Sequence, residues 1–327
     1  MTITRFKTWL MAVAAVLLAT LDASAQTDVQ YTQYWHAPAY YNPSTIGMTD
    51  FIHITAGSRM QWVGITRAPV SFLGLADMPF KFLGKRWGTG IMIQQESMGL
   101  YSSLNAGAQI AFKKQKLFGG TLSVGVQLGL VNETFKGSKI VIPEGDDAHN
   151  SSDDAIPNVD VTGTAFDVSA GITYSHKWFW VAISGTHLTQ PSVTLKADGS
   201  DDKQYEFTAG RAFYLMGGSN IPIKNTLFEL QPSFLVKTDT KFFTGEVTAR
   251  VRYNKFISGG VAYRYNDAVS AMIGVEIKNF YVGYSYDYPI SKVSVGTTGS
   301  HEVMVSYNVK LDMSEKNKNK HKSIRIM

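Results

Sequence analysis

Apolar and polar residues alternate with a period of two through most of the chain between residues 51 and 311. In Phe166-Asp167-Val168-Ser169-Ala170-Gly171-Ile172-Thr173-Tyr174 the even positions are apolar and the odd ones small or polar. In 246–253, Glu246, Arg250 and Arg252 share one face. Val269, Ala271, Ile273, Val275 and Ile277 alternate with Ser270, Met272, Gly274 and Glu276, and Val303, Val305, Tyr307, Val309 and Leu311 alternate with Glu302, Met304, Ser306, Asn308 and Lys310. A period of two marks strands with two unlike faces. One face is β-branched and aromatic; the other carries charges in mid-strand. The segments run ~10–13 residues, longer than the usual strand of a soluble sheet and suited to a tilted membrane strand. Charges facing a wet lumen cost little, whereas on a lipid face they cost ~2–4 kcal/mol each near the midplane.

Fourteen strands are predicted: 51–62, 69–79, 87–98, 101–113, 118–131, 163–175, 178–188, 204–217, 226–238, 242–253, 256–266, 268–277, 280–288 and 301–311. The expected fold is all-β, a transmembrane antiparallel up-and-down β-barrel. Closure removes the sheet edges that lipid would not tolerate.

The connections alternate too. Short basic turns carry Lys81, Lys85 and Arg86, then Lys113, Lys114 and Lys116, then Lys177, Lys224, Lys255 and Lys278, usually beside an aromatic ring. The long connections, 132–162 and 189–203, carry Asp146, Asp147, Asp153, Asp154, Asp198, Asp201 and Asp202. With an even strand number both termini fall at one rim, the periplasmic one in bacterial barrels. Parity then puts every basic turn in the periplasm and the acidic loops outside. Loop 132–162, with Pro143 and Pro157, is expected to lack regular structure.

The ends divide the chain further. Arg5 and Lys7, apolar Trp9 to Ala19, and Ala23-Ser24-Ala25 have the layout of a cleaved export signal over residues 1–25. Residues 26–50 are expected to form a periplasmic strap outside the barrel of residues 51–311. Residues 312–327 form a basic tail with Lys316, Lys318, Lys320, Lys322 and Arg325, read either as a solvated end or as a docking strap. The chain has no cysteine, so disulfides, thiolate metal sites and a lipid-acylated start are out. Without residues 1–25 there remain 29 basic against 25 acidic residues. An excess so modest, with no basic helix, does not suggest nucleic-acid binding.

Catalytic patterns are missing, and no cofactor is expected. No two of the seven histidines stand at helical metal-binding spacing, and there is no G-x-S-x-G element or phosphate loop. Gly88-Thr89-Gly90 lies in a strand and opens no helix. The loop aspartates Asp146, Asp147, Asp153 and Asp154 lack regular calcium-loop spacing. Glu96, Arg211, Glu246, Arg250, Arg252, Arg264, Glu276 and Glu302 are expected to point inward, as a cross-lumen network or as the lining of a conduit. Barrel diameter grows with strand number, and fourteen strands leave too little room for a folded protein.

Asp28-Val29-Gln30-Tyr31-Thr32-Gln33-Tyr34, then Pro38, Tyr41-Asn42-Pro43-Ser44 and Gly47, resembles the opening of the PorP/SprF family of the Bacteroidetes type IX secretion and gliding apparatus. Arg59-Met60-Gln61-Trp62 is similar to that family's R-x-Q-W element, and Leu122 to Gly129 to its L-S-x-G-x-Q-x-G strand. Ser184, His187-Leu188 and Gln190-Pro191 match S-x-x-H-L-x-Q-P, and Lys322 to Ile326 resembles its basic ending. The final Ile326-Met327 departs from the aromatic end of many members. The resemblance implies a non-enzymatic outer-membrane protein of that secretion system, either a core component or an adhesin-specific paralogue. Its implied partners are outer-membrane lipid, a periplasmic ring lipoprotein and peptidoglycan-linked proteins, with secreted cargo or a surface lipoprotein beyond them. The fifteen basic residues named in the turns and tail are the candidate partner-binding residues. The rival expectation is a transport barrel for small or hydrophobic solutes.

Overall fold

The computed structural model describes residues 28–140, 157–197 and 204–313. The expected signal, the acidic stretches 141–156 and 198–203, and the tail cations Lys316, Lys318, Lys320, Lys322 and Arg325 lie outside the described residues.

The chain forms a closed antiparallel barrel of fourteen strands. They are β1 (Phe51–Met60), β2 (Val70–Phe82), β3 (Lys85–Met98), β4 (Tyr101–Leu117), β5 (Gly120–Lys136), β6 (Asp160–Ser175), β7 (Phe179–Thr186), β10 (Ala212–Ser219), β12 (Phe228–Thr238), β13 (Phe243–Tyr253), β14 (Ile257–Arg264), β15 (Ala268–Ile277), β16 (Phe280–Pro289) and β17 (Ser300–Lys310). Each pairs with its neighbour in the wall, and a two-residue strand β11 (Ile221–Pro222) pairs with the start of β12. The first and last close the cylinder in unbroken register from Phe51 opposite Lys310 to Met60 opposite His301. Phe51 and Lys310 therefore mark one rim, called here the near rim; the other is the far rim.

Outward positions are apolar: Ile91, Ile93, Leu128, Ile172, Ile183, Val247, Val261 and Ile273 are all exposed. Inward positions are polar and buried, as with Ser123, Asp167, Ser169, Thr173, Glu246, Ser270, Glu302 and Ser306. The membrane is the solvent for the first set, so their exposure to it costs nothing.

Three expectations need correction. The predicted strand 204–217 is two elements. β9 (Gln204–Thr208) pairs with β8 (Ser192–Ala197), and β8 pairs with the far end of β6 through Val161–Ala197 and Thr162–Lys196. This hairpin has its own apolar cluster of Val131, Val161, Val193 and Leu195. The break comes because β7 stops at Thr186 and the chain turns through His187 and Gln190 at positive φ. The stretch 189–203 is thus partly strand. Residues 132–162 are shorter as a loop than expected, since β5 continues to Lys136 and β6 starts at Asp160.

The third correction is larger. Residues 28–47 are not outside the barrel but inside it. Tyr31, Tyr34, Ala37, Tyr41 and Ile46 have no exposed surface, and Thr32, Asn42 and Ser44 are equally buried. Between residues 28 and 47 there are five aromatic side chains and one formal charge, Asp28. A segment so composed gains by leaving water, provided its backbone finds partners. A turn of helix at Pro38–Tyr41 and a 3-10 turn at Pro43–Thr45 fold it compactly. Smaller wall side chains make room. A Cβ on Gly125 would lie 2.5 Å from Pro43 O, and one on Gly171 would strike the Asn42 side chain.

Candidate functional site

The plug runs from the far side of the lumen to the near rim, and each stage is held by the wall. At the far end, Asp28 accepts from Tyr214 at 2.6 Å and Thr186 at 3.0 Å. His187 Nε2 lies 3.1 Å from Asp28 Oδ1, and its Nδ1 lies 3.0 Å from Asp167 Oδ2. Lys237 Nζ donates to the Asp28 carbonyl at 2.5 Å. Burial alone would lower the His187 pKa, but Asp28 and Asp167 on either side push it up to about 10. Burial would raise Asp28, yet His187 and Lys237 hold its carboxyl well below the usual carboxylate range. His187 is thus a cation clamped between two anions.

One step deeper is an ionic girdle, to which three of the expected inward charges, Glu246, Arg264 and Glu302, belong. Arg59 Nη2 lies 2.7 Å from Asp287 and Nη1 3.2 Å from Glu302. Arg264 Nε lies 2.8 Å from Glu246. The plug completes this network. The backbone N–H groups of Thr32 and Gln33 both donate to Glu302 at 2.8 Å, the Thr32 hydroxyl to Asp287 at 2.8 Å, and the Gln30 amide to Glu246 at 2.9 Å. Buried charges are tolerated only when so paired and bonded. Arg211 is the exception among the expected lumen charges: it is exposed at a far-rim corner and donates to Leu188 O.

In the middle, Tyr34 donates to Ser233 at 2.8 Å, and Arg250 lies 3.9 Å above the Trp35 ring. Asn42 donates to Ile183 O at 3.0 Å, Ser184 to Tyr41 O at 2.7 Å, and Gln109 to Ala39 O at 2.8 Å. Near the exit, Ser123 donates to Ser44 O and Gly47 N to Asp77, both at 2.6 Å. The sequence elements quoted above converge here. Asp28 meets His187, Arg59 meets Thr32, Ser184 meets the Tyr41 carbonyl, and Asn42 meets the wall. Sequence reading missed Asp167, Tyr214, Lys237 and Asp287 as partners. The aromatic-rich, nearly uncharged composition of residues 28–47 was the signal available.

Two cavities flank the plug. One of about 500 Å³ opens toward the far rim and is lined by Asp28, Gln30, Glu96, Glu133, Phe207 and Tyr265 among others. One of about 400 Å³ lies toward the near rim, lined by Trp35, His36, Asp77, Arg252, Glu276 and Asn308 among others.

The basic turn residues gather on the near rim. Lys81, Lys85, Lys114, Lys116, Lys177, Lys224, Lys255 and Lys278 are exposed there. Arg86 is half-buried and paired with Asp50 at 2.6 Å. Lys113 departs from the expectation. It faces the lumen, 3% exposed, and donates to Ser123 Oγ at 3.0 Å, because the alternation of β4 puts it on the inner face.

No curated protein matches the sequence. Among solved structures, a FadL homologue of Pseudomonas aeruginosa superimposes with a TM-score of 0.52 at 10% identity, covering 84% of this chain and 94% of that one. The P. putida toluene transporter TodX gives 0.48 at 9% identity over the same shares, and the E. coli outer membrane phospholipase A 0.32 at 11% over 82% and 99%. At these identities the first likeness speaks for the outer-membrane barrel fold alone. The sequence matches the family described as Type IX secretion system membrane protein PorP/SprF over residues 23–307, nearly the whole barrel and its plug together, and the chain belongs to that family.

Proposed function

We propose that this protein is a non-enzymatic outer-membrane anchor of the type IX secretion apparatus, whose near rim faces the periplasm and docks ring or peptidoglycan-linked partners. The observation that carries the reading is the plug. With residues 28–47 bonded to the wall from Asp28 to Gly47, the rims are the surfaces offered to other proteins. Eight exposed turn lysines stand on the near rim, and charge complementarity there would speed docking and fix orientation more than it would set affinity. The far rim, with the β8–β9 hairpin, would face the exterior, where secreted cargo or a surface lipoprotein could meet it. Deletion of the gene, followed by profiling of medium and surface proteins, tests the reading. Broad loss of secreted proteins, rescued by the intact gene, supports a core component; loss of one large adhesin supports the dedicated paralogue.

One observation favours a second reading, a transport barrel: the cavities above and below the plug lie on a path that would open if the plug moved. That reading expects an unchanged secretome, altered solute sensitivity and conductance by the purified wild-type barrel.

A further inference from the structure

Two neighbouring hairpins on the near rim depart from the pattern of the others. A two-residue hairpin loop of the I′ kind needs positive φ at both central residues, which favours Asn–Gly. The β2–β3 turn uses Leu83–Gly84 at φ 50° and 67°, and the β4–β5 turn uses Phe118–Gly119 at 46° and 80°. Other positive-φ positions on this rim hold polar residues: Lys116, Asn225, Asn254, Lys255 and Lys278. A bulky apolar residue in left-handed backbone is an outlier. Burial does not explain it. Leu83 is 81% and Phe118 89% exposed, against 56% for the lipid-facing Ile91.

The two tips also lie past the aromatic belt, where Phe80, Phe82 and Phe112 pack around Trp87. The β4–β5 hairpin continues four residues beyond the last β3–β4 pair, Arg86 with Lys113. Tyr174 donates to Phe118 O at 2.9 Å, so the tip is held while its ring stays bare. Only β3 and β4 separate the two turns, a spacing of about 10 Å. Beside them opens a groove of about 940 Å³, lined by Lys81, Lys85, Arg86 and Lys310 against Asp50 and Asp312. Lys114 and Lys116 stand exposed below Phe118.

We infer that this sector of the near rim is the docking site for an acidic protein segment, which covers Leu83 and Phe118 with apolar side chains and lays its carboxylates in the groove. The inference rests on the near rim being the docking face. Apolar anchors ringed by charge are the usual centre of a protein interface. The chain's own residues 314–327 are a poor occupant, since Lys316, Lys318, Lys320, Lys322 and Arg325 would meet a cationic groove.

The test places a photo-cross-linking amino acid at residue 83, 118, 255 or 278 of the full-length protein in native cells. Positions 83 and 118 should give protein adducts mapping to a net-acidic segment, at least about tenfold stronger than 255 and 278. The adducts should fall about tenfold with Lys85→Glu and Lys114→Glu together. A second variant, Leu83→Asn with Phe118→Asn, restores the turn preference. The barrel should stay folded and partner co-purification should drop at least about tenfold. Equal adducts at all four sites, adducts to lipid alone, or full co-purification by the Asn–Gly barrel would overturn the inference. If Lys255→Glu with Lys278→Glu releases the partner instead, rim docking survives and this sector is the wrong one.

Discussion

At the far end of the plug the Asp28 carboxylate holds a charged histidine and two hydroxyls in place, and the Asp28 carbonyl accepts from Lys237. Replacing Asp28 by Ala leaves His187 facing Asp167 alone and removes the acceptor for Tyr214 and Thr186. Breaking a buried pair from one side costs roughly 3–5 kcal/mol. The expected outcome is a lower temperature for the heat-induced mobility shift of the barrel on gels, with residues 28–47 cut more readily by protease. The pH dependence has a definite sign. His187 binds its proton more tightly in the folded barrel than in the unfolded chain, whose value is near 6.5. Its contribution is complete below that value and lost as pH rises through about 10. Asp28 runs the other way, complete above its unfolded value of 3.8 and lost only in strong acid. The advantage in melting temperature of wild type over His187→Gln should therefore shrink between pH ~6 and pH ~9.5. An equally steep slope in the variant would count against this account. None of these contacts was legible in the chain. Asp28 and His187 stood in separate sequence elements 159 positions apart, and only the closed wall brings them together.

The elements divide by how local their causes are. Strands such as β15, predicted and found at 268–277, follow from a period-two contrast between lipid and lumen that each strand carries in itself. The β8–β9 hairpin does not. Residues 204–208 alternate as a barrel strand would, and only pairing with Ser192–Ala197 decides where they go. The plug is the extreme case. It has one short helix, one 3-10 turn and no periodicity, so its conformation is set by the walls it touches. Gly125→Val tests this dependence. Its side chain would collide with the backbone at Pro43 and Ser44, where the nearest atoms stand 2.5 Å from the new Cβ. The β5 strand gains propensity from the change while the plug loses its seat. The expected result is a barrel that still shows heat-modifiable mobility and releases residues 28–47 to protease. A plug still protected would mean that the lumen can shift to absorb a side chain.

On the scale of the whole molecule, strand number and the gathering of the basic turns at one rim were both readable, since they rest on counting and parity. The occupied lumen was not read, because a short segment without periodicity ahead of the first strand shows its place only through its aromatic, nearly uncharged composition. Removing residues 28–47 while keeping β1 intact should convert a closed barrel into a conducting one in planar bilayers. If wild type and deletion conduct alike, the plug does not block the pore. The deletion should also unpair Glu302, Asp287 and Glu246 from their backbone, hydroxyl and amide donors respectively. The seam where β1 meets β17 then acquires a further meaning. Thr32 and Gln33 bind Glu302 on the last strand, 270 and 269 positions away, and Thr32 also accepts from Arg59 on the first. The segment that leads the barrel can be clasped only when the final strand arrives. Closure is therefore expected to have an order: the leading segment should already lie within the curling sheet when the ends meet, because afterwards Asp28 to Tyr31 would have to pass a finished ionic ring. The plug is a core around which the sheet is wrapped, and the completeness of the chain is registered at the moment it closes.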